Sequence, residues 1–300
     1  MILMRALAWE FGMVSGRILV VAGLLIALSA PSASAATESG IRTLERVEDL
    51  STGLLGFSEA ACRMTATGDA AFAEVMTLYL EDMQAATAQL SDGDDAAAIS
   101  RLRAPAQVSA LSQYEDALAT LSPFVDFAGR GELPNAYLQL LFDNAAVAYE
   151  QSQILFDETQ DVFALQRVTR FESETMQNIA RIEERIRQIA ILHCAGSVGV
   201  SAAALAGDLT EARADIARRI ATAEQGNEME LILAADPVTA NAIACLRAQV
   251  DSVEQAVDAT ASVEEIMPLA TAAEEMAHMA LIATEARFNE MIETPEFTCD

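Results

Sequence analysis

The longest regular pattern in the chain is the segment 135–195, which contains neither glycine nor proline. Glycine frees the backbone and proline removes an N–H donor, so the absence of both favours an unbroken helix. Apolar positions three and four apart mark one helical face at Met176, Ile179, Ile182, Ile186, Ile189 and His193, and a similar stripe upstream at Leu138, Leu141, Ala145, Ala148, Ser152 and Leu155. A single helix would extend about 90 Å at a rise of about 1.5 Å per residue. It is therefore predicted to belong to two packed units at once.

A second pattern is an internal repeat with one constant offset and no gap. This shift places the stripe Leu44, Val47, Leu50, Leu54, Phe57 and Ala61 on the stripe that begins at Met176. The same shift places Cys62 on Cys194 and Pro105 on Pro237. Because amphipathic helices can always be slid into phase, the matched cysteine and proline carry the argument. They predict an internal duplication.

The pattern as a whole predicts an all-α fold. Each unit reads as four amphipathic helices joined by short turns, such as the acidic turn 91–95 and the helix start at Asp236-Pro237. Antiparallel helices of this kind form up-down-up-down bundles. We therefore predict two four-helix bundles, 36–168 and 169–300, stacked end to end on one shared long central helix. A composition of 52 % apolar but only 5 % aromatic residues also suits close-packed helices better than sheets.

The charge of the chain excludes one class of partner. There is no lysine, and the formal net charge is −27. Such a chain repels phosphate backbones and anionic lipid headgroups, so no nucleic-acid binding is expected.

The N-terminus has the pattern of an export signal. Arg5 and Arg17 precede an apolar run, 18–30, and Ala33-Ser34-Ala35 provides the small residues that signal peptidase accepts. The run is shorter than the roughly 20 residues that span a bilayer. We expect cleavage after Ala35 and a periplasmic protein with no stable membrane anchor; an uncleaved anchor is the alternative.

Two segments resemble a known sensor domain. Residues 59–69 read Glu-Ala-Ala-Cys-Arg-Met-Thr-Ala-Thr-Gly-Asp, and a second copy extends from Gln177 to Cys194. Together with the helical layout, they resemble the N-terminal PilJ-type domain of type IV pili methyl-accepting chemotaxis transducers, which is also found in nitrate sensors. The resemblance implies a tandem helical sensor. Where the family has anion-binding arginines, the first copy holds Asp49, Ser51 and Gly56 and the second holds Arg181, Glu183 and Gln188. Only Arg181 is in register, so nitrate binding is not implied.

The candidate ligand-binding residues are the arginines Arg181, Arg185 and Arg187, the one dense basic cluster in an acidic chain. Arg181 and Arg185 are four residues apart and share a helical face that could receive a small anion or a carboxylate. The alternative interpretation is that the three arginines neutralise neighbouring acids such as Glu183 and Glu184.

The four cysteines could form disulfides in an exported protein. In the predicted bundle, Cys245 and Cys299 lie at the same level, and they are the expected pair. Cys62 and Cys194 are expected to be buried thiols, because they are equivalent positions in different units.

A soft-metal site is an alternative function. His193, Cys194, His278, Met276 and Met279 combine imidazole, thiolate and thioether groups, which suit copper(I). Against this, His193 lies on the core stripe and methionines commonly fill gaps in alanine-rich bundles.

No enzyme signature is present: the chain lacks a glycine-rich phosphate loop, a nucleophile elbow and a His-Glu-x-x-His motif. We therefore expect no catalysis and no cofactor. The sequence favours an exported sensor or binding protein that takes a small anion or a partner protein and has no signalling domain of its own, with a copper-binding bundle as the alternative.

Overall fold

The computed structural model describes residues 33–163 and 167–288, together with Cys299, and in these ranges the protein is all-α. Its helices are α1 (Ala33–Thr67), α2 (Ala71–Asp92), α3 (Pro105–Ala119), α4 (Ser122–Gly129), α5 (Asn135–Val162), α6 (Arg167–Val198), α7 (Ala203–Ala206), α8 (Leu209–Gln225), α9 (Pro237–Asp258) and α10 (Val263–Phe288). The predicted leader 1–35 lies outside the described residues except for its last three, with which α1 begins.

The prediction of one unbroken helix over 135–195 is wrong. α5 ends at Val162, and Phe163 takes the non-helical angles φ −87° and ψ 44°. α6 then returns antiparallel to α5, since Asn135 Nδ2 donates to the carbonyl of Val198 at 2.5 Å and Gln160 Nε2 donates to Glu174 Oε1 at 3.3 Å. A straight rod would hold its two apolar stripes far apart, whereas folding back lets both contribute to one core.

The first set of helices is α1, α2, α3 and α5. α1 packs against α2 and α5, and α3 packs against α5. α1 and α2 are antiparallel, because Arg46 near the start of α1 reaches Gln89 at the end of α2 at 2.7 Å. At the other end, Thr65 of α1 donates to the carbonyl of Leu133, which lies just before α5.

The second set, α6, α8, α9 and α10, repeats this arrangement. α6 packs against α8 and α10, and α9 packs against α10. α6 and α8 are antiparallel, since Asn178 Nδ2 donates to the carbonyl of Arg219 and Arg185 contacts Asp215 at 2.7 Å. α9 begins after Asp236, whose side chain caps the N–H groups of Val238 and Thr239.

The two sets lie side by side and not end to end, which corrects the stacked arrangement predicted above. α1 packs against α6, and the two helices are parallel and in register. Cys62 and Cys194, the equivalent cysteines of the repeat, form a disulfide with Cα atoms 6.2 Å apart, where buried thiols were expected. The fold-back after α5 brings the two equivalent helices to the same level, which end-to-end stacking would not. The buried side chains of both sets form one continuous core.

Two loops of closely similar structure provide independent support for the duplication. After α2, the backbones of Asp94 and Ile99 exchange two hydrogen bonds; after α8, those of Asn227 and Ile232 do the same. The Oδ1 atoms of Asp94 and Asn227 each accept from the N–H groups two and three residues later. Each loop also has a left-handed residue just before the isoleucine, Ala98 or Leu231. The segments 93–99 and 226–232 thus share a conformation although they share only glycine and isoleucine at their ends.

Candidate functional site

The predicted arginine cluster is divided between two faces of α6. Arg187 points towards α1 and α10, where it donates to Glu183 at 3.1 Å, to Glu274 at 2.9 Å and to the carbonyl of Thr52 at 3.1 Å. Arg185 points towards α8 and pairs with Asp215. The three arginines therefore do not line one anion site.

The predicted metal ligands do not come together either. Cys194 is in a disulfide and cannot supply a thiolate, and His193 Nε2 donates to the carbonyl of Ala261 at 2.8 Å. His278 instead lies at the level of Glu183, with which it lines two cavities. Ten residues along α6 separate that level from His193, about 15 Å at the helical rise. Met276 and Met279 are half-buried on α10 beside His278.

The structure pairs Cys245 with Cys299, as expected from the sequence, with Cα atoms 5.0 Å apart. Cys245 is buried in α9. The disulfide therefore attaches residue 299 to the second set of helices.

The main candidate site is a cavity of about 420 Å³ between α1, α6 and α10, which we call the acidic cavity. It is lined by carboxylates from all three helices, namely Glu45, Glu48, Asp49, Glu183 and Glu285. The rest of the lining is mixed: Thr52, Ser173 and Gln177 are polar, and the apolar residues are Ile41, Leu44, Met176, Ala180, Leu281 and Ile282. His278 is the one basic side chain among its described lining residues, and none of them is an arginine.

Burial and mutual repulsion raise the carboxyl pKa values around this cavity. The pKa of Glu48 rises to about 8, because its carboxylate is desolvated and lies close to Glu184, Asp49 and Glu45, although Arg181 opposes the shift. The pKa values of Glu45, Asp49 and Glu183 are raised as well, with desolvation as the largest cause in each. Burial is the main cause, because Glu45, Asp49 and Glu183 are each ion-paired, with Arg42, Arg46 and Arg187 respectively.

A second cavity of about 430 Å³ adjoins the first and shares Glu183 and His278 with it. Its polar residues Glu59, Arg187 and Glu274 lie between α1, α6 and α10, and Tyr79 contributes from α2. The pKa of Glu274 rises to about 8 through desolvation and the nearby Glu59. Glu274 Oε1 is buried and has no hydrogen-bond partner among the described residues.

Sequence reasoning missed these acids, although the repeat contains a signal for them. At the offset that aligns the two cysteines, Glu59 corresponds to Ile191 and Arg187 corresponds to Leu55, and both aliphatic residues are fully buried. A charged residue in one copy that aligns with a core aliphatic residue in the other marks a position where the interiors of the two copies differ. The acids of α10 could not be located this way, because the matched cysteines and prolines of the repeat lie outside α10.

A third cavity, of about 290 Å³, is richer in arginine. Arg181, Arg218 and Arg219 line it together with acids such as Glu174 and Glu230. The pKa of Arg219 is lowered, first by burial and then by the nearby charges of Arg181 and Arg218, although Asp215 opposes this. We call it the arginine cavity.

Among the described residues, no cluster of three or more histidine, cysteine or acidic side chains has the geometry to hold a metal ion. The carboxylates of the acidic cavity are thus dispersed along its walls. The described helices also include none that is both long and apolar enough for a membrane span.

Comparison with known proteins identifies no relative. No protein-family model, curated protein or solved structure matches the chain. The resemblance to chemotaxis-transducer sensor domains therefore rests on sequence layout.

Proposed function

We propose that this chain is an exported binding protein of the sensor-domain type, which takes a small organic cation in the acidic cavity. The observation that carries the proposal is the cavity itself, in which five carboxylates surround about 420 Å³ between the two repeats, three of them ion-paired with arginines outside the described lining. The proposal keeps the sensor function implied by the family resemblance but replaces the anion with a cation.

The chemistry of the lining favours an amine over a metal ion. Metal ions need several oxygen ligands within about 2.6 Å, whereas these carboxylates are dispersed and separated by aliphatic side chains such as Leu44 and Ile282. A protonated amine with a short hydrocarbon body matches both features, because its charge meets the acids and its carbon atoms cover the apolar walls.

Binding can be tested by calorimetry with putrescine and benzylamine as probes. We expect Glu48→Gln to weaken binding about tenfold, which corresponds to about 1.4 kcal/mol. Exposed Glu115 on α3 provides the matched control, and Glu115→Gln should leave binding unchanged. Because the amine prefers ionised carboxylates, affinity should also increase from pH 6 to pH 8 in the wild type.

Three results would contradict the proposal: no heat of binding with either amine, equal loss in both variants, or affinity that falls with pH. Export is tested separately by N-terminal sequencing of protein recovered from the periplasm. The expected first residue is Ala36, and an N-terminus at Met1 would remove the leader assignment.

A small anion in the arginine cavity is the second candidate. The specific observation is the lowered pKa of Arg219, since an anion would relieve the repulsion from Arg181 and Arg218. Nitrate and succinate are suitable probes. Stabilisation of the wild type that is lost in Arg219→Gln would favour this candidate, whereas no stabilisation by either anion would eliminate it.

The copper-binding alternative has no support in the geometry. Of its five proposed ligands, Cys194 is oxidised to a disulfide and His193 is bound to a backbone carbonyl far from His278.

A further inference from the structure

The outer face of α5 carries an ordered pattern of exposed apolar and acidic residues. Leu140, Val147 and Ile154 are seven residues apart and are 50 %, 52 % and 41 % exposed. Asp143, Glu150 and Asp157 alternate with them at spacings of three and four, and all three are exposed. We call these six residues the α5 seam.

This spacing is that of a coiled coil, in which two positions of every heptad face a partner helix. The seam has aliphatic residues at one of the two positions and carboxylates at the other. From Leu140 to Asp157 it extends about 25 Å at the helical rise. It is long enough to pair with a helix of about five turns.

The seam is not a by-product of packing within the chain. α5 buries its opposite side, including Leu138, Leu141 and Leu155, against the core. In the equivalent helix of the second set, α10, the exposed residues Thr271, Glu275 and His278 instead line the second cavity. Two helices in equivalent roles thus differ, and the apolar heptad is confined to one of them.

The charges of the seam identify the occupant. A second copy of the chain would bring acids against acids, which costs free energy at every turn. A helix with aliphatic residues at one seam position and arginine or lysine at the other would satisfy both features. We propose that the α5 seam docks an amphipathic helix of a partner protein that carries basic residues in heptad register with its apolar residues. This inference is independent of the ligand in the acidic cavity.

The test uses the whole chain without its leader and two synthetic helical peptides, each four heptads long. Both have leucine at the apolar heptad position; the first has arginine at the other seam position and the second has glutamate. Fluorescence anisotropy should show binding of the arginine peptide only, weakened at least tenfold between 50 mM and 500 mM NaCl. The variant Val147→Glu/Ile154→Glu should lose at least tenfold in affinity.

Two further variants distinguish docking from general attraction to an acidic protein. Leu78 on α2 is 64 % exposed, so Leu78→Glu adds a negative charge away from the seam and should bind like the wild type. Asp143→Arg/Glu150→Arg should reverse the preference and select the glutamate peptide. Circular dichroism confirms that each variant is folded, as expected for exposed positions.

Four results would overturn the inference. They are failure of the arginine peptide to bind, equal loss of affinity in the Leu78 and Val147 variants, an unchanged preference after charge reversal, and a dimer in sedimentation that Val147→Glu dissociates. The last would show that the occupant is a second copy.

Discussion

The two repeats share their backbone and differ in their interior charge. Both begin with a helix that has a cysteine near its end, and these two helices pack in parallel. Both also have a tight loop in which an Asx side chain caps the N–H groups two and three residues later. The second repeat places Arg187 where the first has Leu55, and the first places Glu59 where the second has Ile191. A few positions in turns and at the disulfide thus preserve the fold, while the charges next to the cavities are free to diverge.

The disulfide between the repeats should have the largest effect on stability. Cys62 and Cys194 are 132 residues apart, and closing a loop of that size restricts the unfolded chain greatly. We expect Cys62→Ala/Cys194→Ala to cost about 4–5 kcal/mol, measured by urea unfolding. Removing the shorter loop closed by Cys245 and Cys299 should cost less. If removing the Cys245–Cys299 disulfide cost more stability than removing Cys62–Cys194, the repeats would be held together by packing alone.

The buried arginine should have the next largest effect. Arg187 compensates Glu183 and Glu274 with its side chain only 12 % exposed. Arg187→Leu copies the first repeat but leaves the acids unpaired, so a loss of about 3–5 kcal/mol is expected. The triple variant Glu59→Ile/Arg187→Leu/Glu274→Gln also removes two of the nearby acids, although Glu183 remains, and should recover part of that loss. If single and triple variants are equally unstable, shape and not charge determines the cost.

The sequence predicted the all-α fold and the repeat, because apolar spacing and the matched Cys62 and Cys194 are local features. It failed at Phe163, where no glycine or proline marks the end of α5. That break is set by tertiary packing, which brings two stripes into one core at the expense of local helix propensity. The pairing of Cys62 with Cys194 follows from the same break and could not be predicted once the run was taken as straight. The separation of Arg185 from Arg187 was predictable, because residues two apart lie about 200° apart around a helix.

The glycines that begin the two similar loops should differ in how well they tolerate a side chain. Gly93 and Gly226 have φ of 83° and 74°. A Cβ on Gly226 would lie 2.7 Å from the backbone nitrogen of Ala234, whereas one on Gly93 would lie 3.2 Å from that of Arg101. We expect Gly93→Ala to cost about 1–3 kcal/mol, because φ 83° with ψ 157° is a backbone region that only glycine occupies readily. Gly226→Ala should cost roughly 1 kcal/mol more because the backbone must also shift.

Thermal unfolding measures both variants, and the loops provide an internal control. Ala98 and Leu231 have φ of 55° and 58°, so Ala98→Gly and Leu231→Gly relieve strain and should be neutral or slightly stabilising. If Gly93→Ala and Gly226→Ala lose the same free energy of unfolding, the loop 226–232 relaxes more easily than its contacts indicate.

The pH dependence of stability should report on the acidic side of the molecule. Glu48 and Glu274 have folded pKa values of about 8 against about 4.5 in an unfolded chain. Between these values the folded state holds protons that the unfolded state releases, so the contribution of these two groups to stability is greatest below pH 4.5 and is lost as pH rises through 8. We expect the melting temperature to fall by about 3 °C or more from pH 5 to pH 8. Glu48→Gln/Glu274→Gln cannot release these protons and should flatten the profile, whereas Glu115→Gln should not. An equally steep profile in the double variant would assign the pH dependence to the net charge of the chain and not to these two carboxylates.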